Sequence, residues 1–149
     1  MVNIGVSNDL ILEAEHQIGV CFPESLKNVW RISNGLELPG GWQLYPIFDK
    51  NSPRKTCNHI CYENTKGRWP SMEQSLISIA NNGTGNQLVL KKTVTALEDT
   101  IYVWNHETGE IKEWSKDFEY LRAIAEARLA KINKVMSRAS KNKNSVLKT

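Results

Sequence analysis

Apolar residues recur at helical spacing in two short stretches near the start of the chain. In "SNDLILEAEHQIG", Leu10, Ile11, Ala14 and Ile18 fall on one face. Ser7, Asn8 or Asp9 can cap that helix, and Gly19 can end it. In "PESLKNVWRISNG", Leu26, Val29 and Trp30 share a face. Pro23 suits the first turn, and Asn34-Gly35 supplies a left-handed stop.

The period then shortens to two. "GWQLYPIF" reads as a strand that Pro46 interrupts or places at an edge. The polar run after it has Cys57, Ile60 and Cys61 at helical spacing, which predicts a loop running into a short helix. "SLISIA" and "QLVLKK" are strand-like, as are "TIYVWN" and "EIKEWS". They form two successive hairpins, hence an antiparallel meander in which Trp104 and Trp114 could pair across adjacent strands. From Phe118 onward, Leu121, Ile124, Ala125, Ile132, Val135 and Met136 recur by threes and fours in a long closing helix, which Ser115 or Asp117 can cap. The expected class is α+β: two N-terminal helices, a central antiparallel sheet of about four to six strands, and a long C-terminal helix. One domain over residues 1–140 is expected, followed by a basic polar tail over 141–149 that frays.

Charge refines this picture. The chain has 149 residues and a net charge of +3, but the sign is uneven. Residues 131–149 carry six basic groups (Lys131, Lys134, Arg138, Lys141, Lys143, Lys148) and no acid. The remainder sets thirteen basic groups against sixteen acidic ones, a net of −3. A basic tail can touch nucleic acid or acidic lipid, although without interleaved aromatics it also reads as an ordinary solvated end. The first ten residues lack a basic start followed by an apolar run, and no stretch has the roughly 20 apolar residues of a membrane span. Three cysteines are an odd number, which favours reduced thiols and a cytoplasmic location.

Candidate chemistry is sparse. "IANNGTGNQLVL" has two glycines one residue apart, but a phosphate cradle needs a helix after it, and a strand follows here. The glycines therefore read as a hairpin turn. "CNHIC" and the distant His16 and Cys21 lack the paired spacing of a zinc site, so the thiols read as small packing residues. No nucleophile motif is present, and Glu98-Asp99, Glu107 and Glu110 lie in or beside turns, where acids are solvated. No catalytic residue, metal ligand or cofactor-binding residue is assigned.

The order of segments resembles the SUKH superfamily (Smi/Knr-like). "EAEHQIGVCFPESLKNVWRISNGLEL" is similar to its opening signature, "SLISIANNGTGNQLVL" to its central strand–loop–strand, and "IYVWNHETGEIKEWSKDFEYL" to its closing hairpin and helix start. The resemblance covers roughly residues 7–130, leaves out the basic tail, and is weak from Asp49 to Met72. It implies an α+β fold and no enzymatic activity or cofactor. It also implies an immunity protein of a polymorphic toxin system, including those with LXG toxins, which binds and neutralises a cognate toxin, often a nuclease, in the producing cell. A nuclease attracts polyanionic substrate with a basic face, so an acidic patch is the expected complement. The candidate contacts are Glu37, Asp49, Glu63, Glu98, Asp99, Glu107 and Glu110, with Trp42, Tyr45, Tyr62 and Trp69 as aromatic anchors. The alternative is a nucleic-acid-associated regulatory protein that uses the basic tail.

Overall fold

The computed structural model describes residues 5–147, with side chains described as far as residue 140. Helix α1 spans Asn8–Ile18 and buries Ile11, Ala14 and Glu15. It ends at Gly19, whose φ of 77° is the left-handed stop predicted there. Helix α2 spans Glu24–Ile32 and buries Leu26, Val29 and Trp30. Pro23 stands one step before the helix instead of inside its first turn, and its carbonyl accepts from the Leu26 and Lys27 amides. The turn between α1 and α2 is held by one acid. The Glu15 carboxylate accepts from the Phe22 amide at 2.7 Å and pairs with Lys27 at 3.2 Å.

Helix α2 stops at Ser33, whose backbone is extended with φ of −150°, one residue before the predicted Asn34-Gly35 stop, and Asn34 has another task. Its side chain donates to the Ile47 carbonyl at 2.9 Å and accepts from the Ile47 amide at 2.8 Å, so it clamps the chain just beyond the second strand. Trp30 adds a bond from its indole nitrogen to the Tyr45 carbonyl at 3.0 Å.

The sheet has six strands in consecutive antiparallel order: β1 (Glu37–Leu38), β2 (Trp42–Leu44), β3 (Leu76–Asn81), β4 (Gln87–Lys91), β5 (Ile101–Trp104) and β6 (Ile111–Ser115). The predicted meander is β3 to β6, and β1 and β2 extend it. Pro46 ends the pairing of β2, and its carbonyl accepts instead from Ile60, the first residue of α3 (Ile60–Glu63). Cys57 lies before α3 and is exposed, whereas Cys61 is buried with its thiol against the Ala14 carbonyl.

Directly opposed residues of an antiparallel sheet share a face. One face presents Leu38, Leu44, Ile77, Ile79, Leu88, Leu90 and Ile101 to the main core, together with α1, α2 and the start of α4 (Glu119–Leu147). The other face carries a smaller cluster of Leu76, Val89 and Trp104, roofed by Trp69 and Met72 from the connection between α3 and β3. Both faces of β3 and β4 are therefore covered at the centre, which is why these strands read as continuous apolar runs. Trp104 and Trp114 do not pair: Trp104 belongs to the smaller cluster, while Trp114 packs toward the main core and against Tyr120.

Asp117 caps α4 by accepting from the Glu119 amide at 3.0 Å, and Phe118, Leu121 and Ala125 anchor the helix in the core. Its apolar stripe then outruns the body. Leu129 is 41 % exposed, Val135 64 % and Met136 65 %, with Ile132 half-buried, so the second half of the predicted face is largely uncovered among the described residues. The helix extends to Leu147, across most of the segment after Ser140 that is predicted to fray.

Candidate partner-binding surface

The strand register lines up a row of residues across the second face. Glu37 opposes Gln43, Gln43 opposes Asn81, Asn81 opposes Gln87, Gln87 opposes Trp104, and Trp104 opposes Ile111. Crossing six strands at about 4.8 Å per step, the row is roughly 24 Å long. An irregularity between Ser78 and Ala80 makes it possible. The extra residue there, Ile79, keeps Ile77, Ile79 and Ala80 all in the main core and sends Asn81 to the polar face beside Gln43. Simple alternation would have turned Asn81 inward.

Under the middle of the row lies a buried polar network. The Tyr45 hydroxyl and the Ser78 hydroxyl both donate to the Gln87 side-chain oxygen at 2.5 Å. Asn64 grips the Ser78 backbone in both directions at 2.7 Å and also donates to the Ile60 carbonyl. Burial, and then the nearby Glu63 charge, push the Tyr45 phenol well above the ordinary tyrosine range. Burial likewise raises Glu63 above the usual carboxylate range.

The same end of the sheet is rimmed by two joined loops. In "NNGTGN", Gly83 has φ of 82° and Gly85 φ of 102°, the positive values that a turn between β3 and β4 requires. Asn86 accepts from the His106 amide at 3.1 Å, and its side-chain oxygen lies 2.7 Å from His106 Nδ1. An amide oxygen only accepts, so Nδ1 is the protonated ring nitrogen in this contact. A Cβ on Gly85 would sit 2.9 Å from the His106 ring, so the second glycine is also needed for close approach. His106 in turn packs on Trp69, with centroids 5.2 Å apart and the rings tilted by 42°.

The sequence-predicted residues divide among these features. Glu37 is exposed at one end of the row, Glu63 lies beside the buried network, and Glu107 and Glu110 are exposed in the β5–β6 hairpin just past Trp104. Trp69 is half-buried against Trp104 and His106. Two aromatic anchors require correction. Trp42 is 7 % exposed because it faces the main core opposite Leu38, and Tyr45 is 1 % exposed with its hydroxyl spent on Gln87. Neither ring is available at the surface.

The remaining four candidates lie elsewhere. Glu98 and Asp99 are exposed before β5, a strand length of about 13 Å from the hairpin that carries Glu107. Asp49 accepts from the Asn51 amide within its own turn. Tyr62 is 45 % exposed in an aromatic ridge with His59 and with Phe48, which is 42 % exposed. His59 caps α3 by accepting from the Tyr62 amide, and burial lowers its pKa.

Gln43, Asn81, Asn86 and His106 were not among the predicted contacts. Period-two alternation alone could place Gln43 opposite Trp42 and Leu44 in face, but not Asn81, whose side depends on the irregularity at Ile79.

Amides at the centre and carboxylates at the flanks suit docking of a protein surface more than enclosure of a small molecule. The larger cleft, of about 380 Å³, is between the end of α1 and the β4–β5 connection, away from the row. Among the described residues no group of three His, Cys, Asp or Glu could hold a metal ion, and no helix is long and apolar enough to cross a membrane.

No curated protein matches the chain significantly. The family model of the SMI1/KNR4 family (SUKH-1) matches residues 5–122, from two residues before the α1 cap Ser7 into the first turn of α4. That span holds all six strands and most of the chain, and the protein belongs to the SMI1/KNR4 family (SUKH-1).

Proposed function

We propose that this protein is an immunity protein that binds a cognate toxin and neutralises it, and that the toxin is a nuclease. SUKH proteins are known for such roles, and the observation that carries the reading here is the amide row flanked by Glu37, Glu63, Glu107 and Glu110. Four carboxylates spread along the flanks of the row complement the basic face with which a nuclease holds nucleic acid, and such complementarity speeds capture. Neutralisation then needs only coverage of that face. The chain contributes no reacting group in this reading, works without a cofactor and acts in the cytoplasm of the producing cell.

The direct test mixes the purified protein with the toxin domain encoded beside its gene. A 1:1 or higher-order complex on size exclusion, with loss of nucleic-acid cleavage, is the expected result. Separate elution with cleavage unimpaired refutes the proposal.

A second reading rests on a different observation. Lys131, Lys134 and Arg138 are exposed on the part of α4 that leaves the body, beyond the span matched by the family. Nucleic-acid binding through this segment predicts steep salt dependence that disappears on truncation after Ala130. Binding that is absent, or unchanged by the truncation, removes it.

A further inference from the structure

Glu63 is the only half-buried carboxylate among the described residues with neither a hydrogen bond nor an ion pair. Glu15 is buried but holds the Phe22 amide and Lys27, and the half-buried Asp49 holds the Asn51 amide. The remaining described acids are exposed. We propose that Glu63 is the anchor at which the second sheet face receives a lysine or arginine of the protein partner. This rests on the partner-binding reading above and adds to it the residue and the chemistry of the contact.

The backbone around Glu63 is held firmly. His59 caps the start of α3, and Asn64, immediately after Glu63, is clamped to Ser78 through two bonds of 2.7 Å. The space in front of the carboxylate is kept by Gly67, where a Cβ would lie 3.3 Å from Glu63 Oε2 and 2.7 Å from the Tyr62 ring. Neither basic residue that follows it answers it: Lys66 is exposed and forms no ion pair with it. Arg68 spends one guanidinium nitrogen on the Glu73 carbonyl, and its Nε is buried without a partner. Because that Nε is the only fully buried unpaired side-chain N or O described, the Glu63 oxygens remain in contact with solvent.

Part of the desolvation cost of an interfacial carboxylate has thus been met in folding. A partner cation meets a smaller remaining penalty there than at a fully solvated carboxylate. A lysine or arginine is the fitting group. One carboxylate alone does not make a metal site, and the neighbouring donors, Tyr45 and Asn64, are already engaged.

The experiment compares Glu63→Gln with wild type in two measurements. Thermal unfolding of the free protein is expected at the same temperature or a few degrees higher, because a neutral amide replaces an unpaired, partly desolvated charge. A lowered midpoint means that the carboxylate supports the fold, and overturns the proposal. Binding to the toxin domain is expected to weaken by about 10- to 100-fold, the usual cost of removing one partner of a desolvated ion pair. Glu119→Gln, on the exposed start of α4, should change binding by less than about 2-fold. Equal affinity for Glu63→Gln and wild type ends this inference alone. A wild-type protein that binds no toxin domain ends the partner reading and this inference with it.

Discussion

Glu15 offers the sharpest test of how the helical layer is built. It is 7 % exposed, and one carboxylate oxygen serves both the Phe22 amide at 2.7 Å and Lys27 at 3.2 Å. In Glu15→Ala the Phe22 amide loses its acceptor at a buried position, which costs about 1–3 kcal/mol. Lys27 loses less, because it is 20 % exposed and already within 4.0 Å of Glu24. Together these give about 2–3 kcal/mol, or roughly 5–10 °C in Tm for a chain of this length. Glu15→Gln keeps an oxygen for the amide and removes only the ionic part, so about 0.5–1 kcal/mol is expected. Urea unfolding followed by tryptophan fluorescence measures both, with an unchanged m-value expected. If the alanine and glutamine variants are equally destabilised, or both lie within about 0.5 kcal/mol of wild type, the amide is not what Glu15 supports.

Burial and the Glu13 charge push the Cys61 thiol from 9.0 up to about 11. The resulting stability is complete below pH 9 and is lost as the pH rises toward 11, by about 1.4 kcal/mol at pH 10; Cys61→Ala should flatten that alkaline limb in pH-dependent unfolding. At pH 8, a colorimetric disulfide reagent should titrate the exposed Cys21 and Cys57 quickly and leave Cys61 unreacted until the protein unfolds, and three equally fast thiols would contradict its burial. Gly85→Ala combines a positive φ with a clash against the His106 ring, so a loss of about 1–3 kcal/mol is expected, while Gly83→Ala, with open space around its Cβ, should lose less. Met136→Lys should shift stability by less than about 0.5 kcal/mol, since the side chain is 65 % exposed; a larger loss would mean that this stretch of α4 is covered.

The helices and the meander were legible because their periodicity is local. Ile11, Ala14, Leu26, Val29 and Trp30 fall where the spacing put them. The surface was less legible because it depends on register between strands. Asn81 faces the polar side only because Ile79 is extra, and nothing in "LISIAN" announces a bulge. The same limit explains Trp104 and Trp114, whose strands are adjacent but whose faces differ. Tyr45 shows a separate difficulty. An aromatic beside Pro46 reads equally well as an anchor or as core, and the choice is made by Gln87, forty-two residues away. In α4 the spacing of Ile132, Val135 and Met136 predicts an apolar stripe correctly, but periodicity cannot say whether the body reaches that far.

The roof over the second face ends where the side chains turn polar. Trp69 and Met72 cover Leu76, Val89 and Trp104, all of which must be hidden from water. Beyond them, Glu37 and Gln43 are exposed and Asn81 is half-buried, and these need no cover. The open part of the sheet therefore needs no further cover to be stable, as the proposed docking surface requires. Its rim is also fixed before binding, since Asn86 ties the β3–β4 turn to His106 and His106 packs on Trp69. A partner meeting fixed loops forgoes the ordering cost of about 0.5–1.5 kcal/mol per immobilised side chain. The glycines of "NNGTGN" act in that rim. They let one loop close on the other and hold the edge of the proposed docking face in place.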